Sequence, residues 1–176
     1  MATSKQSLPF EDAGASADPA MANKPSDPVF KLALNLNKIE FPFAPIGRRT
    51  CVVLCLHNPT ANRITFKVRC TSVEIFMVDP PMAFVNPNGL ANITLWHNNT
   101  DQKKTIGKKN YFAFYHKNAP PSARAAPDLW KNGLKDADGC RRLPVIFLKD
   151  PGTRKPSPAQ GASATAPPAP PAPPAP

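Results

Sequence analysis

The sequence of 176 residues contains 24 prolines and four cysteines and carries a formal net charge of +10. A chain of this length accommodates one domain with a hydrophobic core, and two full domains are not expected. No apolar run approaches the roughly 18 residues of a membrane-spanning helix, and the N-terminal residues lack the apolar segment of a signal peptide. We therefore expect a cytoplasmic protein without a transmembrane anchor.

The two ends of the sequence differ in composition from its middle. Residues 1–27 are rich in Ala, Ser, Asp and Pro and too poor in large apolar side chains to offset the entropy lost on ordering. Residues 153–176 end in repeats of Pro and Ala, which favour polyproline II structure and suit a spacer or a ligand for proline-binding modules. We expect one domain over residues 28–152, with a disordered N-terminal arm and a disordered Pro/Ala-rich tail.

The first strands are predicted between residues 29 and 57. Apolar residues alternate with small or polar ones over residues 30–36 and continue on the other parity from Ile39, which predicts a bulge or bend between them. Pro42 and Pro45 then place this part of the chain at a sheet edge or at a change of sheets. Residues 50–57 are apolar on both faces, which is typical of a central, buried strand.

The segment 58–89 combines two predicted strands with two turns. Apolar side chains alternate with Thr, Lys and Arg over residues 64–70, which predicts a half-buried strand with one basic face. A second apolar run, residues 75–78, stops at Asp79-Pro80-Pro81, because proline cannot donate to a strand ladder. Residues 86–89 (Asn-Pro-Asn-Gly) indicate a tight turn.

The rest of the domain repeats this pattern of short strands and polar loops. Strands are predicted at residues 90–97, 111–116 and 141–148, and the lysine-rich segment 98–110 is predicted to be a solvated loop. Pro127 begins a short helix, because proline and a following acidic residue are favoured in a first helical turn. About seven short strands and one short helix predict an all-β fold, a seven-stranded immunoglobulin-like β-sandwich.

The sequence offers little that would support catalysis or metal binding. Its three histidines lie singly at strand ends, and no phosphate-binding loop, zinc-protease motif or nucleophile elbow occurs. Cys51, Cys55 and His57 share one strand face, but at about 3.3 Å per residue Cys51 and His57 lie roughly 20 Å apart, too far to bind one ion. We expect reduced cysteines that pack as small apolar residues, no metal, no cofactor and no enzymatic activity.

The basic excess lies within the predicted domain and favours an anionic partner. Nucleic acid is not expected, because the sequence has no basic helix, no zinc-ligand pattern and no aromatic platform for single strands. Acidic peptides remain a possible partner class.

Several sequence blocks resemble the major sperm protein (MSP) domain, which is shared by the sperm cytoskeletal proteins of nematodes and the VAP membrane-contact proteins. The blocks are LNLNKIEFPFAP (34–45), residues 58–87, HKNAPPSARAAPDLWKN (116–132) and RRLPVIFLKDP (141–151). Val-Asp-Pro-Pro at 78–81 and the two arginines before Leu143-Pro144 look most like the sperm branch.

The resemblance implies an MSP-type sandwich and offers two functions. The first is a structural or interaction protein that contacts itself or other MSP-family proteins in sperm cytoskeletal filament assembly or motility, in a pseudopod-type cytoskeleton. The alternative is an adaptor that binds acidic or phosphorylated peptides on a basic face.

The resemblance also places the peptide-binding face on Arg69, Cys70, Thr71, Tyr111 and Ala113. Arg69 keeps the positive charge of the family motif and Thr71 keeps its hydroxyl, whereas Cys70 replaces a threonine. Tyr111 and Ala113 stand where the membrane-contact branch has lysine and methionine. Without that lysine, the peptide-binding face lacks a charge-assisted contact worth about 1.5–3 kcal/mol. The resemblance therefore favours the sperm branch over the membrane-contact branch.

Overall fold

The computed structural model describes residues 10–100 and 107–151. Within these residues, nine strands form two sheets, and a short helix, α1 (Ala126–Leu129), begins next to Pro127 as predicted. The strands are β1 (Ala33–Leu34), β2 (Ile39–Phe41), β3 (Arg49–His57), β4 (Ile64–Cys70), β5 (Phe76–Asp79), β6 (Met82–Val85), β7 (Leu90–Asn98), β8 (Tyr111–Asn118) and β9 (Gly139–Phe147).

The two sheets pack face to face as a sandwich. The four-stranded sheet has the order β1-β3-β7-β5, and the five-stranded sheet has the order β2-β9-β8-β4-β6. Neighbouring strands are antiparallel except β2 and β9, which run parallel. The all-β, immunoglobulin-like sandwich is confirmed, with nine strands in place of the predicted seven. The first predicted strand is divided into β1 and β2, and β6 forms between the proline corner and the tight turn.

The change of parity before Ile39 marks a crossing between sheets. Leu34 in β1 pairs with β3 of one sheet, whereas Ile39 in β2 pairs with Val145 of β9 in the other. Leu34 and Ile39 are both fully buried, so the core-facing residues have even numbers in β1 and odd numbers in β2. The change from even to odd occurs because the chain leaves one sheet and enters the other, which faces the core from the opposite side. The crossing precedes Pro42, which follows the last residue of β2.

The core between the sheets contains a cluster of aromatic rings around Phe41. The Phe41 ring stacks on Phe76 at 5.8 Å and on Phe147 at 6.1 Å between ring centroids, and it lies 5.4 Å from the His97 ring. Phe41 itself is fully buried. These contacts join β2, β5, β7 and β9, so Phe41 ties strands of both sheets together.

The prediction that β3 is buried on both faces is wrong for its first half. Leu54 and Leu56 face the core and are fully buried, but Cys51 is exposed and the Val53 side chain is 55% exposed. Phe10 packs against the outward ring of His57 at the end of β3, with 5.1 Å between ring centroids, whereas the outward side chains of the first half of β3 face solvent. An apolar pattern on both faces of a strand therefore does not show that both faces are covered in the folded protein.

Part of the segment predicted to be a disordered arm, residues 10–27, lies against the sandwich. The Ala13 amide donates to the Leu34 carbonyl at 2.8 Å, and Met21, in a 3-10 helix, is only 8% exposed. Asp27 pairs with Arg142 of β9 at 3.0 Å. The prediction of disorder rests on average composition, which does not reveal individual contacts such as these. The predicted disorder of residues 1–9 and 153–176 concerns positions outside the described residues.

Candidate functional site

The outer face of the five-stranded sheet carries a group of cations. Strand alternation places Lys67 and Arg69 of β4 on this face, and the register continues each row across the neighbouring strands. Arg69 lies beside Ala113 of β8, which lies beside Arg142 of β9. Lys67 lies beside Tyr115 in the next row. We call these five residues the basic face.

One end of the basic face is closed by Trp130, which follows helix α1. Its indole Nε1 donates to the Thr65 hydroxyl at 3.1 Å, which accounts for the complete burial of Thr65 on the outer side of β4. Lys117 lies 4.7 Å from the Trp130 ring centroid, donates to the Leu129 carbonyl at 2.9 Å and pairs with Asp136 at 2.7 Å. Lys117 of β8 is therefore already paired, whereas Lys67 and Arg69 of β4 form no ion pair with a described residue.

Lys67 and Arg69 lie two residues apart on the same side of β4. Arg69 is exposed and makes no ion pair with any described residue. The pKa of Lys67 is lowered, first by partial burial of its side chain and then by repulsion from Arg69 and Lys117. An anion placed between Lys67 and Arg69 would relieve that repulsion.

The β9 side of the basic face is occupied by the N-terminal segment. Asp27 accepts a hydrogen bond from the Lys24 amide, which is the main cause of its lowered pKa, and another from Arg142. The same pairing with Asp27 raises the pKa of Arg142. Arg141 is held 3.4 Å from Asp12. The two arginines of β9 therefore already have acidic partners from their own chain.

The structure brings together three of the five residues assigned by the resemblance. Arg69, Tyr111 and Ala113 lie on the outer face, where Arg69 is exposed and Ala113 is only 2% exposed. Cys70 points the other way, packs against the core and has a pKa raised by burial. Cys70 therefore does not share a surface with Arg69.

Thr71 is engaged in holding two strands together. Its Oγ1 donates to the side-chain oxygen of Asn110 at 3.0 Å and accepts from the Tyr111 amide at 3.4 Å. The Thr71 amide in turn donates to the Tyr111 carbonyl at 3.3 Å. These bonds fix the end of β4 against the start of β8, so the Thr71 hydroxyl acts first as a structural link.

The peptide-binding face assigned by the resemblance did not include Lys67, Tyr115 or Arg142. Alternation within β4 gives the signal for Lys67, which lies two positions before Arg69. Tyr115 and Arg142 become neighbours only through the registers of β8 with β4 and β9, which the sequence pattern alone does not reveal.

The outer face of the four-stranded sheet has the opposite character. Cys51 of β3 lies beside Trp96 of β7, which lies beside Met77 of β5, forming an apolar row across three strands. Met77 is 44% exposed, and Val53 and Leu90 on the same face are 55% and 58% exposed. The charged residues of the described strands on this face are Arg49 and Asp79, and Asn92, Thr94 and Asn98 add uncharged polar groups. We call it the apolar face.

The described residues contain no group of three or more His, Cys, Asp or Glu side chains placed to hold a metal ion. All four cysteines are unpaired; Cys140 is buried and Cys51 is exposed. None of the described helices has the length and apolar character needed to cross a membrane.

Comparison with known proteins identifies relatives in nematodes. Residues 35–139 match the sequence model of the MSP (major sperm protein) domain. The Caenorhabditis elegans protein R05D3.5 is 40% identical over 161 residues, covering 79% of this chain and 86% of the relative. The C. elegans protein ZC262.1 is 44% identical over 119 residues, covering 68% of this chain and 88% of the relative.

Solved structures show the same fold at low sequence identity. The C. elegans MSP family member WR4 aligns with a TM-score of 0.55 and 14% identity, covering 67% of this chain and 98% of WR4. SSP-19, an MSP-domain protein like family member of C. elegans, aligns with a TM-score of 0.51 and 16% identity, covering 63% and 94% of the two chains.

Proposed function

Because the chain belongs to the major sperm protein domain family, we propose that it is a non-enzymatic structural or interaction protein of the sperm cytoskeleton. It contributes to filament assembly or motility in the cytoplasm by associating with itself or with other family members. The observation that supports this proposal is the apolar face of the four-stranded sheet.

The apolar face suits association because its exposed side chains gain by leaving water. Val53, Met77 and Leu90 are each more than two-fifths exposed, and apolar burial contributes about 25 cal/mol per Å² removed from water. Exposed apolar groups that cluster on one face are typical of contact surfaces. The chain carries a net charge of +10, so copies meet with least repulsion where their surfaces lack a cationic excess.

We expect the full chain to self-associate, more strongly as protein concentration and salt increase. Salt shortens the range of repulsion between basic copies to about 8 Å at physiological ionic strength, whereas apolar contacts persist. Sedimentation velocity across a concentration series at low and physiological salt measures the association, and electron microscopy detects filaments. A strict monomer at high concentration and physiological salt that also fails to bind sperm-type MSP filaments would contradict the proposal.

A second candidate function is supported by the unpaired cations of β4. Arg69 has no described acidic partner, and Lys67 experiences repulsion that an anion would remove. Tyr111 and Tyr115 flank Ala113 on β8 and offer hydroxyl groups beside these cations. An acidic or phosphorylated peptide matches this chemistry, which makes the adaptor function the alternative.

If the chain is such an adaptor, the substitution Arg69→Glu will lower its affinity for an acidic phosphopeptide at least about tenfold, because it replaces a charge-assisted contact worth about 1.5–3 kcal/mol with repulsion. Isothermal titration with one defined phosphopeptide measures the change. Arg124→Glu makes the same charge change at an exposed loop position and serves as the control. Equal affinities of the two variants, or no saturable binding to the native chain, would rule out the adaptor function.

A further inference from the structure

His116 of β8 is fully buried, yet its imidazole ring forms no hydrogen bond with any residue that the structure describes. Both ring nitrogens, Nδ1 and Nε2, are closed off from solvent and have no partner there. Buried polar groups are normally hydrogen-bonded, because a group without a partner gives up its bonds to water and gains none in return. An apolar ring would fill the same space without that cost. Packing alone therefore does not account for a histidine at this position.

The His116 ring lies under residues 28–30, which follow the N-terminal segment and which we call the cover. The Phe30 ring meets the His116 ring edge-on, with 5.3 Å between ring centroids. Gly139, the first residue of β9, lies against both the His116 ring and the Val29 carbonyl, and a Cβ at this position would overlap both. A glycine at 139 therefore allows the cover to pack closely over the ring.

The cover is continuous with the contacts that hold the N-terminal segment on β9. The Cys140 amide donates to the Pro28 carbonyl at 3.3 Å. Asp27, which directly precedes Pro28, pairs with Arg142 at 3.0 Å. Because these contacts follow one another along the chain, a movement of the cover away from His116 would also pull Asp27 from Arg142.

A proton on the His116 ring would place a charge in the core. Burial lowers the pKa of His116, because the charged form loses its hydration there. Asp138 attracts the charged form and partly offsets this effect, whereas Lys31 repels it. The Gly139 backbone also favours the charged form, although it makes no hydrogen bond with the ring. Burial has the largest effect, so the covered ring is held in its neutral form.

The three strands packed around the ring, β4, β8 and β9, contain no acidic residue. Their ionisable residues next to the ring are Cys140 and Arg141 of β9 and, on the outer face of β8, Tyr115 and Lys117. Burial raises the pKa of the Cys140 thiol, so this group stays neutral. Arg141 lies 5.4 Å from the Phe30 ring centroid and adds positive charge beside the cover. A protonated ring therefore gains from water, which reaches it once the cover lifts.

We propose that His116 is a pH-sensitive latch, in which a proton taken up by the ring lifts the cover and separates Asp27 from Arg142. The closed form is fully stable above about pH 6.5, the ordinary pKa of histidine. It loses stability as the pH falls below that value, because the opened ring binds a proton more readily than the covered ring. The pKa of Asp27 is lowered by its hydrogen bonds to the Lys24 amide and Arg142, so this pairing does not itself titrate in this range. Opening adds Arg142 to the free cations of the basic face, and the inference does not depend on the proposed self-association.

Hydrogen–deuterium exchange of the full chain measures the opening. After correction for the effect of pH on intrinsic exchange, we expect residues 10–30 to open up to about tenfold more often at about pH 5.5 than at about pH 7.5. His116→Phe keeps a ring that cannot be charged and must abolish this response to acid. His97→Phe must retain it. His97 is also buried, and its Nε2 has no described partner, but it lies in the ring cluster around Phe41, away from the cover.

A second pair of variants tests the latch without changing the core. Lys31→Glu, at an exposed position, replaces a repelling charge with an attracting one, so the covered ring holds a proton more readily and the response to acid falls at least about twofold. Arg124→Glu makes the same charge change at an exposed loop position and leaves the response unchanged. Thermal unfolding checks that each variant folds.

Three results would overturn the latch. They are a native chain whose residues 10–30 do not respond to acid, a full response in a folded His116→Phe chain, and equal responses in Lys31→Glu and the native chain. If His116→Phe does not fold, the comparison of Lys31→Glu with Arg124→Glu decides. Self-association is measured separately by sedimentation, so none of these results bears on the proposed function.

Discussion

Replacing Phe41 by alanine is expected to lower the free energy of unfolding by about 4 kcal/mol. Truncation of a buried phenylalanine costs about 3–5 kcal/mol, because the lost apolar transfer is joined by the cost of the remaining cavity. Phe41 is fully buried and contacts the rings of Phe76, Phe112 and Phe147 with centroids 5.8, 6.4 and 6.1 Å away. A domain of this size has about 5–15 kcal/mol of stability in total, so the loss is a large fraction.

Chemical denaturation followed by circular dichroism measures this loss. Phe43→Ala provides a matched control, because it makes the same change two residues later at a side chain that is 40% exposed. We expect the control to cost less than about 1 kcal/mol, since partly exposed side chains forfeit less burial. Equal losses at the two positions would show that Phe41 does not join the sheets as described.

Replacing Asn58 by alanine is expected to cost about 3 kcal/mol. The Asn58 side chain is fully buried at the end of β3, and its amide donates to the carbonyls of Asn62, Val85 and Asn86 at 2.8, 3.2 and 3.1 Å. Its Oδ1 accepts from the amide and hydroxyl of Thr60 at 3.1 and 2.7 Å. The substitution leaves these groups without their partner, and each buried polar group left in this way costs about 1–3 kcal/mol. The cost is smaller where water can replace the lost hydrogen bond.

Asn62→Ala is the control for Asn58, because its exposed side-chain amide makes no hydrogen bond with a described residue. Guanidinium titrations of the two variants and the native chain are compared at one temperature. The control is expected to unfold within about 0.5 kcal/mol of the native chain, as surface substitutions usually do. A similar midpoint for Asn58→Ala would mean that water replaces the lost bonds and that Asn58 does not organise this turn.

These two residues also show how far the sequence could predict the fold. Alternation identified β4, because that strand has one side that must face a core, whereas β3 was predicted from an apolar run on both faces. It gave Phe41 as an apolar strand residue but not its neighbours, because the parallel pairing of β2 with β9 depends on chain segments far apart. Asn58-Pro59 is itself a turn signal in the sequence. The five bonds of the Asn58 side chain depend on β6 and the following loop, which local pattern does not place beside it.

The candidate site was predictable to a similar extent. Resemblance supplied Arg69, and the two-residue period of β4 placed Lys67 on the same basic side of the strand. The same period places Cys70 with Ile64, Phe66 and Val68 on the core side, so its inward orientation was already contained in the sequence. The pairing of Arg142 with Asp27 was not predictable, because it brings together residues from opposite ends of the domain that share no motif.

The parallel contact between β2 and β9 also affects how the protein is made. Ile39 pairs with Val145, more than a hundred residues later in the chain. A ribosome must therefore release almost the whole domain before β2 can find its partner, and until then the rings around Phe41 lack Phe147. Folds dominated by such distant pairings form slowly, because loop closure precedes the contacts that stabilise it. Chaperone binding to the nascent chain, with β2 and its apolar residues uncovered, is the expected cellular consequence.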